Sequence, residues 1–500
     1  MSLWCLLVLL ALPDPTVSTN PGVKVQITQQ GLDYGRQIGI AYLQEKLKSV
    51  NIPDISGSEK VSPIGKVEYR LSGMRITNLG LPQSSLGLVP GTGISLSIGN
   101  AFINLHGDWH VKYLKIIKDS GSFDLAVSGL TIKATIGVGS DETGRPTVSS
   151  NDCTASVGGV SVTFHGGGSW LYNLFTSFIE KQLRKSLEQQ ICPLVHDGIS
   201  DLNPHLKTLN VLATVDKYAE IEYSMVTPPS ISNFLIELSL KGEFYNIGQH
   251  QDPPFSAPPF SLPPQNSSML YIGLSSFTAN SAGFVYNRAG ALSLYITDDM
   301  VPSSSPIRLN TKTFGAFVPE ISKRFPDMMM KLLVKTSTQP NVTFEPNNVI
   351  LQLTGTLTAY AVLPNTTLEP LFISKVEASF SGNFWISGQK LAGSLQRYRI
   401  DSTVEASYVG EFQGCHTIFS DGWTTTFKSG QLCGQMPLDM YTTLNDIFKL
   451  VMKLFVIPKV NGYLQQGFPL PGIGRMNLIN SKLQVQKDYM LIGTDVHFTQ

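Results

Sequence analysis

The sequence predicts an α+β protein of two related halves, each a twisted antiparallel sheet wrapped around long helices. Three observations carry this. Long stretches alternate apolar and polar residues with period two. Other stretches repeat apolar residues at helical spacing. A proline strap, Asp252 to Pro264, holds three Pro-Pro pairs near mid-chain. No helix or central strand can cross it, so it should run extended. Phe255 and Phe260 interrupt it and give it a means of packing on a surface. The flanking sequences are partly alike. Aligning Tyr34 with Tyr286 matches Gly31 to Gly283 and Arg36 to Arg288, and Val301-Pro302 echoes Ile52-Pro53 three residues out of step.

In chain order, residues 1–18 read as a secretory signal. Leu3 to Leu12 is almost wholly apolar and small residues follow, although no Lys or Arg precedes the run. Residues 19–247 form the first half, 248–268 the proline-rich linker and 269–500 the second half. Val23 to Thr28 is a short strand. Gly31 to Val50 is an amphipathic helix, with Ile38, Leu43, Leu47 and Val50 on one side and Gln44, Glu45, Lys46 and Lys48 on the other. Ile52-Pro53 ends it. Val61 to Ile136 is period two, as in Ile94, Leu96 and Ile98 or Leu130, Ile132, Ala134 and Ile136. Gly166 to Gly168 breaks the pattern. Ser169 is placed to cap a helix from Trp170 to His196 with Leu171, Phe175, Phe178, Ile179, Leu183, Leu187, Ile191 and Val195 inward. After the strap come a strand near Leu270, helices over Thr313 to Leu333 and Met440 to Phe455, and a last strand through Leu483 and Val485.

Composition narrows the function. The chain is 42% hydrophobic but only 15% charged, so it has apolar surface to hide or to use. Lys plus Arg equals Asp plus Glu at 37 each, which argues against nucleic acid as a partner. No later run reaches the roughly 18 uncharged apolar residues of a membrane span. Four cysteines follow the signal: Cys153, Cys192, Cys415 and Cys433. An even number in an exported chain favours disulfides. Of three connectivities, pairing within each half is the simplest. Asn266, Asn341 and Asn365 open N-glycosylation sequons.

Catalysis finds little support, and the chain is not expected to be an enzyme. His165-Gly166-Gly167-Gly168 resembles a lipase oxyanion loop, but no G-x-S-x-G elbow accompanies it, and a tight turn is the simpler reading. His106 and His110 sit on a predicted strand, about 13 Å apart along one face, too far to share a metal. Asp298-Asp299 precedes Val-Pro, as a turn does. Gly137-Val138-Gly139 lacks a dinucleotide loop's third glycine. No metal or cofactor is expected.

What remains is a basic cluster. Lys60, Lys66, Arg70, Arg75, Lys112, Lys115 and Lys118 face only Glu68 and Asp108 within that stretch. Lys112, Lys115 and Lys118 lie beside Trp109 and Tyr113 in sequence. Cations with aromatics suit an anionic, amphiphilic surface; a solvated strand face is the alternative.

Several motifs resemble the family of bactericidal/permeability-increasing protein and lipopolysaccharide-binding protein. They are Asn20-Pro21-Gly22-Val23 with Gly31-Leu32-Asp33-Tyr34, Ile52-Pro53-Asp54, Gly107-Asp108-Trp109, Gly121-Ser122-Phe123-Asp124, Lys241-Gly242-Glu243-Phe244, Asp298-Asp299-Met300, Ala361-Val362-Leu363-Pro364-Asn365 and Gly467-Phe468-Pro469-Leu470-Pro471. They span nearly the whole chain in order. The resemblance implies a boomerang of two pseudo-symmetric barrels joined by a central sheet. Each barrel would hold an apolar pocket for phospholipid acyl chains, the phospholipid being a ligand rather than a cofactor. It implies lipid A binding at a cationic tip, here Lys60, Lys66, Lys112, Lys115, Lys118 and Trp109, and contact with the bacterial outer membrane surface. It implies a secreted, granule-stored monomer and places the family disulfide on Cys153 and Cys192. Two departures stand out. His110-Val111-Lys112-Tyr113 follows Trp109 where a more basic run is expected, and about twenty residues around Cys415 to Cys433, with Trp423 between them, read as an extra disulfide-closed loop. The leading expectation is a bactericidal lipopolysaccharide binder; the alternative is a phospholipid-transfer or lipopolysaccharide-presenting carrier that does not kill.

Overall fold

In the computed structural model, residues 20–48, 52–61, 65–113, 116–167, 176–303, 305, 308–316, 318–410, 417–420 and 451–499 are described. Both halves contribute to a central six-stranded antiparallel sheet. Its order is Ser230–Ile231, Leu235–Leu240, Val23–Thr28, Leu270–Ser275, Tyr489–Phe498 and Met476–Val485. The halves meet at Val23–Thr28, where Val23 faces Leu240 on one side and Leu274 on the other. Val23, Val25, Gln26 and Thr28 are all buried, so both faces of this strand are covered. The strap supplies part of that cover. Leu262 packs with Tyr271 and Leu491, Phe260 lies 5.8 Å from the Tyr489 ring, and Asn20 Nδ2 donates to the Ala257 carbonyl at 2.9 Å. Gly273 leaves room for it, because a β-carbon there would press on the Leu262 side chain and force it to shift.

Each half then follows one course. In the first, Val23–Thr28 leads into helix α1 (Gln29–Lys48), then a seven-stranded sheet, then helix α2 (Thr176–Ser200), and Leu235–Leu240 returns beside the starting strand. In the second, Leu270–Ser275 leads into α3 (Ser276–Arg288), an eight-stranded sheet and α4 (Ile457–Gln466), and Tyr489–Phe498 returns. Even a side strand corresponds. Gln83–Val89 pairs with Gly93–Tyr113 as Asn341–Glu345 pairs with Asn348–Val362. The two halves are therefore topological repeats. The Gly-Tyr-Arg echo does not carry that repeat, since its glycines stand at different distances from the equivalent strands. Each glycine has its own cause: a side chain at Gly31 would strike the Met269 carbonyl, and one at Gly283 would crowd that of Pro340.

The large sheets obey period-two alternation. Leu71, Leu105, Trp109, Phe123, Leu125 and Leu130 are buried in the first half, along with Ile179, Leu183, Leu187, Ile191, Val195 and Ile199 of α2. The α2 residues recur every fourth position and form one inner stripe. The Cys153–Cys192 disulfide fastens this helix to the strand Pro146–Ser156, with Cα atoms 5.7 Å apart. Among the described strands neither large sheet closes its ladder, so the barrel walls are open sheets filled by helices.

The helix expected over Thr313 to Leu333 is not formed. Instead Thr311–Gly315 and Pro319–Arg324 are short helices, and Met330–Thr336 is a strand. Pro319 and Pro326 interrupt a long helix, and Leu332 and Val334 pair into the sheet opposite Ala359 and Leu357. Residues 168–175 and 421–450 lie outside those described, as do Ser169, Trp170, Cys415, Cys433 and the start of the helix expected from Met440.

Candidate lipid cavity and cationic hairpin

The basic residues come together at one end of the first half. Gly93–Tyr113 and Ile117–Ser140 form a long hairpin flanked by Gly65–Gly80. Register sets Glu68, Lys112 and Lys118 in one row across three strands, Arg70, His110 and Ser120 in the next, and Lys60 opposite Lys66. Alternation turns all of these outward, and Lys60, Lys66, Arg70, Lys112 and Lys118 are exposed. Part of the charge is paired: Lys66 Nζ lies 3.2 Å from Glu68, and Arg70 Nη2 lies 2.6 Å from Asp54. A groove of about 380 Å³ runs between Glu68, Arg70, His110, Lys112, Lys118 and Asp119. Lys115 lies outside the described residues.

Trp109 does not share this surface. The alternation that turns Lys112 outward turns Trp109 inward, where it is 1% exposed. Its Nε1 donates to the His165 carbonyl at 3.3 Å, and its ring meets Phe164 edge-on. Tyr113 likewise leans on the core. The apolar group at the surface is one the sequence reading passed over: Ile116, at the hairpin turn, is 82% exposed, and Ile117 follows it. Two isoleucines between Lys115 and Lys118 were the available signal.

The groups considered for catalysis have structural duties. His106 Nδ1 and His165 Nε2 each lie within 2.8 Å of an Asp124 oxygen, and these bonds, with that from His106 the larger, hold the Asp124 carboxyl below its ordinary range. Asp298 accepts from the Leu309 N–H at 2.7 Å and pairs with Arg308, which shapes the turn. Gly166 and Gly167 take positive φ in the turn after Gly159–His165. Among the described residues no group of three or more His, Cys, Asp or Glu is arranged to hold a metal. No described helix is long and apolar enough to cross a membrane. Asn266, Asn341 and Asn365 are exposed.

A second feature is an apolar cavity of about 300 Å³ in the second half. The sheet supplies Leu351, Leu353, Val376, Ala378 and Leu395, and α4 with its preceding turn supplies Met452, Val456, Val460 and Leu464. Helix α3 contributes small residues, Ala279, Ala282 and Gly283, which leave the space open. The first half also contributes to the lining: Ile221, Tyr223 and Phe244. Tyr223 is fully buried and its hydroxyl donates to the Pro469 carbonyl at 2.6 Å, so no polar atom of that ring is left bare. Burial pushes its phenol pKa up. In the first half, Leu171 and Phe175, expected on the inward side of the helix from Trp170, lie outside the described residues.

Between the halves, Glu243 is 5% exposed and its Oε1 has no partner. Burial pushes its carboxyl pKa up to about 7, against the pull of Lys241 at 3.9 Å. Asp252, at the head of the strap, accepts from the Tyr245 hydroxyl beside it.

Comparison with known proteins agrees with this architecture. The N-terminal domain of the LBP / BPI / CETP family matches residues 31–202, and that family's C-terminal domain matches residues 213–498. A bactericidal permeability-increasing protein of Sebastes schlegelii is 59% identical over 499 residues, covering 100% of both chains. A lipopolysaccharide-binding protein of Bos taurus is 34% identical, covering 98% of this chain and 96% of its own. A crystal structure of lipopolysaccharide binding protein superposes with a TM-score of 0.63 at 31% identity, covering 96% of this chain and 100% of that one. Two topologically equivalent halves sharing a central sheet, a Cys153–Cys192 bridge and full-length matches to such relatives lead to one conclusion: the chain belongs to the LBP / BPI / CETP family.

Proposed function

We propose that this protein is a secreted innate-immune binder of lipopolysaccharide. Its basic hairpin takes the phosphates of lipid A, and its interior holds phospholipid acyl chains. The observation that carries the reading is the outward row of Lys112 and Lys118, with Lys60 and Lys66 beside it, around the exposed Ile116. Cations meet phosphate while the isoleucines enter the acyl boundary. The cavity supports the second part, since each methylene moved into it from water contributes roughly 0.8 kcal/mol. The signal-like start, the sequons and the disulfide support export. The relatives named for permeabilising bacteria and for binding lipopolysaccharide support the ligand class.

One observation favours the quieter alternative, a carrier that hands lipid on without killing. Glu68 and Asp54 neutralise Lys66 and Arg70, which weakens displacement of the divalent ions that hold an outer leaflet together. The two readings separate by experiment. Lys112→Glu with Lys118→Glu should weaken binding to lipid A vesicles at least about tenfold and flatten its salt dependence, at roughly 1 kcal/mol per surface charge. Unchanged, salt-insensitive binding would refute the hairpin. Movement of labelled phospholipid between vesicles, without permeabilisation of Gram-negative cells, would select the carrier.

A further inference from the structure

The outward face of the first-half sheet carries a second kind of charged group. Three of the chain's eight histidines stand on it: His106 and His110 on Gly93–Tyr113, and His165 on Gly159–His165. Register sets them in successive rows leading away from the lysines. Lys112 and Lys118 form the first row. His110 stands in the next, between Arg70 and Ser120. Asp108 and His165 share the third, on either side of Ser122. His106 stands in the fourth, between Arg75 and Asp124. Rows on one face lie about 7 Å apart, so the four span about 20 Å. His110 and His165 are exposed and His106 is half-buried. Helix α2 packs on the other side of the sheet, so these groups face only solvent and one another.

The fixed charges of this face nearly balance. Lys60, Lys66, Arg70, Arg75, Lys112 and Lys118 stand against Glu68, Asp108 and Asp124, with Asp54 reaching Arg70 and Asp119 bordering the groove at the lysine row. The histidines tip that balance, because histidine is the side chain whose charge changes between pH 5 and 8. Two of them share one carboxylate: His106 Nδ1 lies 2.7 Å from one Asp124 oxygen and His165 Nε2 lies 2.8 Å from the other. With both rings neutral the trio carries a single negative charge; with both protonated it carries a single positive one. Asp124, held below its ordinary range above all by the bond from His106 and then by that from His165, stays a carboxylate throughout. His110 adds a third charge beside Arg70, whose own charge Asp54 already meets at 2.6 Å. We infer that acidification turns this face from a nearly balanced surface into a cationic one, which then lies against an anionic lipid membrane along all its rows and not at the hairpin alone. The inference rests on the lipid-binding role proposed for the hairpin and adds when, and over how much of the sheet, that contact forms. Charge complementarity selects the partner, since cations spread over about 20 Å of sheet match a surface of many phosphates better than one soluble anion.

The probe is vesicles of phosphatidylglycerol in phosphatidylcholine. A phosphodiester keeps its charge through this range, whereas the phosphomonoesters of lipid A change theirs near pH 6. Binding of the full chain is measured at about pH 7.5 and about pH 5.5, on either side of the histidine range, at constant ionic strength. Each charge brought to the surface is worth roughly fivefold, the equivalent of about 1 kcal/mol, so the wild-type protein should bind at least about tenfold tighter at the lower pH. His106→Gln, His110→Gln and His165→Gln combined should remove most of that gain, because glutamine keeps an N–H for Asp124 but takes up no proton. His110→Gln alone leaves the Asp124 bonds intact and should remove part of the gain, which keeps the test decisive if the combined variant fails to fold. Vesicles of phosphatidylcholine alone should show no gain. Equal wild-type binding at both pH values, a gain that persists in full in the histidine variants, or an equal gain on phosphatidylcholine alone would overturn the inference. Lys112→Glu with Lys118→Glu at the higher pH tests the hairpin separately. Binding untouched by that variant would sink the hairpin, while a gain at low pH that depends on the histidines would leave the face standing.

Discussion

Glu243 shows what burial does to a single group. Its carboxyl is 5% exposed, carries an unpartnered oxygen and titrates near 7. The folded state therefore holds a proton that the unfolded chain releases at its ordinary 4.5. Stability from this group is greatest below 4.5, declines as pH rises, and is lost above about 7. Glu243→Gln removes the charge and keeps the shape. The variant should be more stable than wild type at pH 8, by roughly 1–3 kcal/mol, with the gap closing toward pH 4.5. Denaturant melts at the two pH values measure it; a gap that does not change with pH would contradict the shift. None of this was legible in the sequence, where Glu243 is one letter of a family motif. Trp109 and Ile116 teach a related lesson. Period two fixes that Lys112 and Trp109 point to opposite faces, so reading them as one patch neglected an alternation the sequence does show. Which face is the wet one depends on α2, packed against the other side of the sheet.

At the scale of elements, strands and long helices were legible where a pattern ran undisturbed. Val23–Thr28 matches its expectation residue for residue, and the inner stripe of α2 holds Ile179, Leu183, Leu187, Ile191 and Val195 of the apolar positions read from spacing. The stretch Thr313 to Leu333 misled because Phe314, Ile321 and Leu332 recur at spacings a helix also permits; all three are buried, but on two short helices and a strand. Sheet partners distant in sequence decided between them, and period alone cannot see partners. Helix α4 offers a test of local chemistry. It begins after a π-helical turn, Met452–Val456, and ends at Gly467 with φ of 72°. Gly462 lies inside it, exposed, with nothing near the place a β-carbon would occupy. Gly462→Ala should therefore stabilise the protein by about 0.5–1 kcal/mol, through lower backbone entropy in the unfolded chain. Thermal unfolding checks this. A loss of stability would mean the position is covered by another part of the chain.

At the scale of the molecule, the strap announced two halves, while composition and periodicity did not show what holds them. The strap alone says nothing of what joins them, and the shared sheet was expected only from the family resemblance. The central sheet makes them interdependent. Val23–Thr28 pairs with Leu270–Ser275 over five residues, from Val23 opposite Leu274 to Ile27 opposite Leu270. One core runs through the join: Val23, Ala219, Ile221, Tyr223, Leu240 and Phe244 of the first half pack with Ile272, Val285, Phe344, Leu391 and Met490 of the second. Large buried side chains of this kind contribute roughly 1.5–3 kcal/mol each, so the join should not depend on covalent continuity. A protease site placed among residues 252–264 and cut after folding should leave two fragments that elute together at the size of the intact protein. They should separate only in denaturant, and in a single transition. Separation in buffer, or two transitions, would show that the strap and not the shared sheet unites the halves. The cavity makes the same demand, because Ile221, Tyr223 and Phe244 of the first half line it together with residues of the second. Lipid retention by the cut protein should therefore match that of the intact chain for as long as the fragments stay paired.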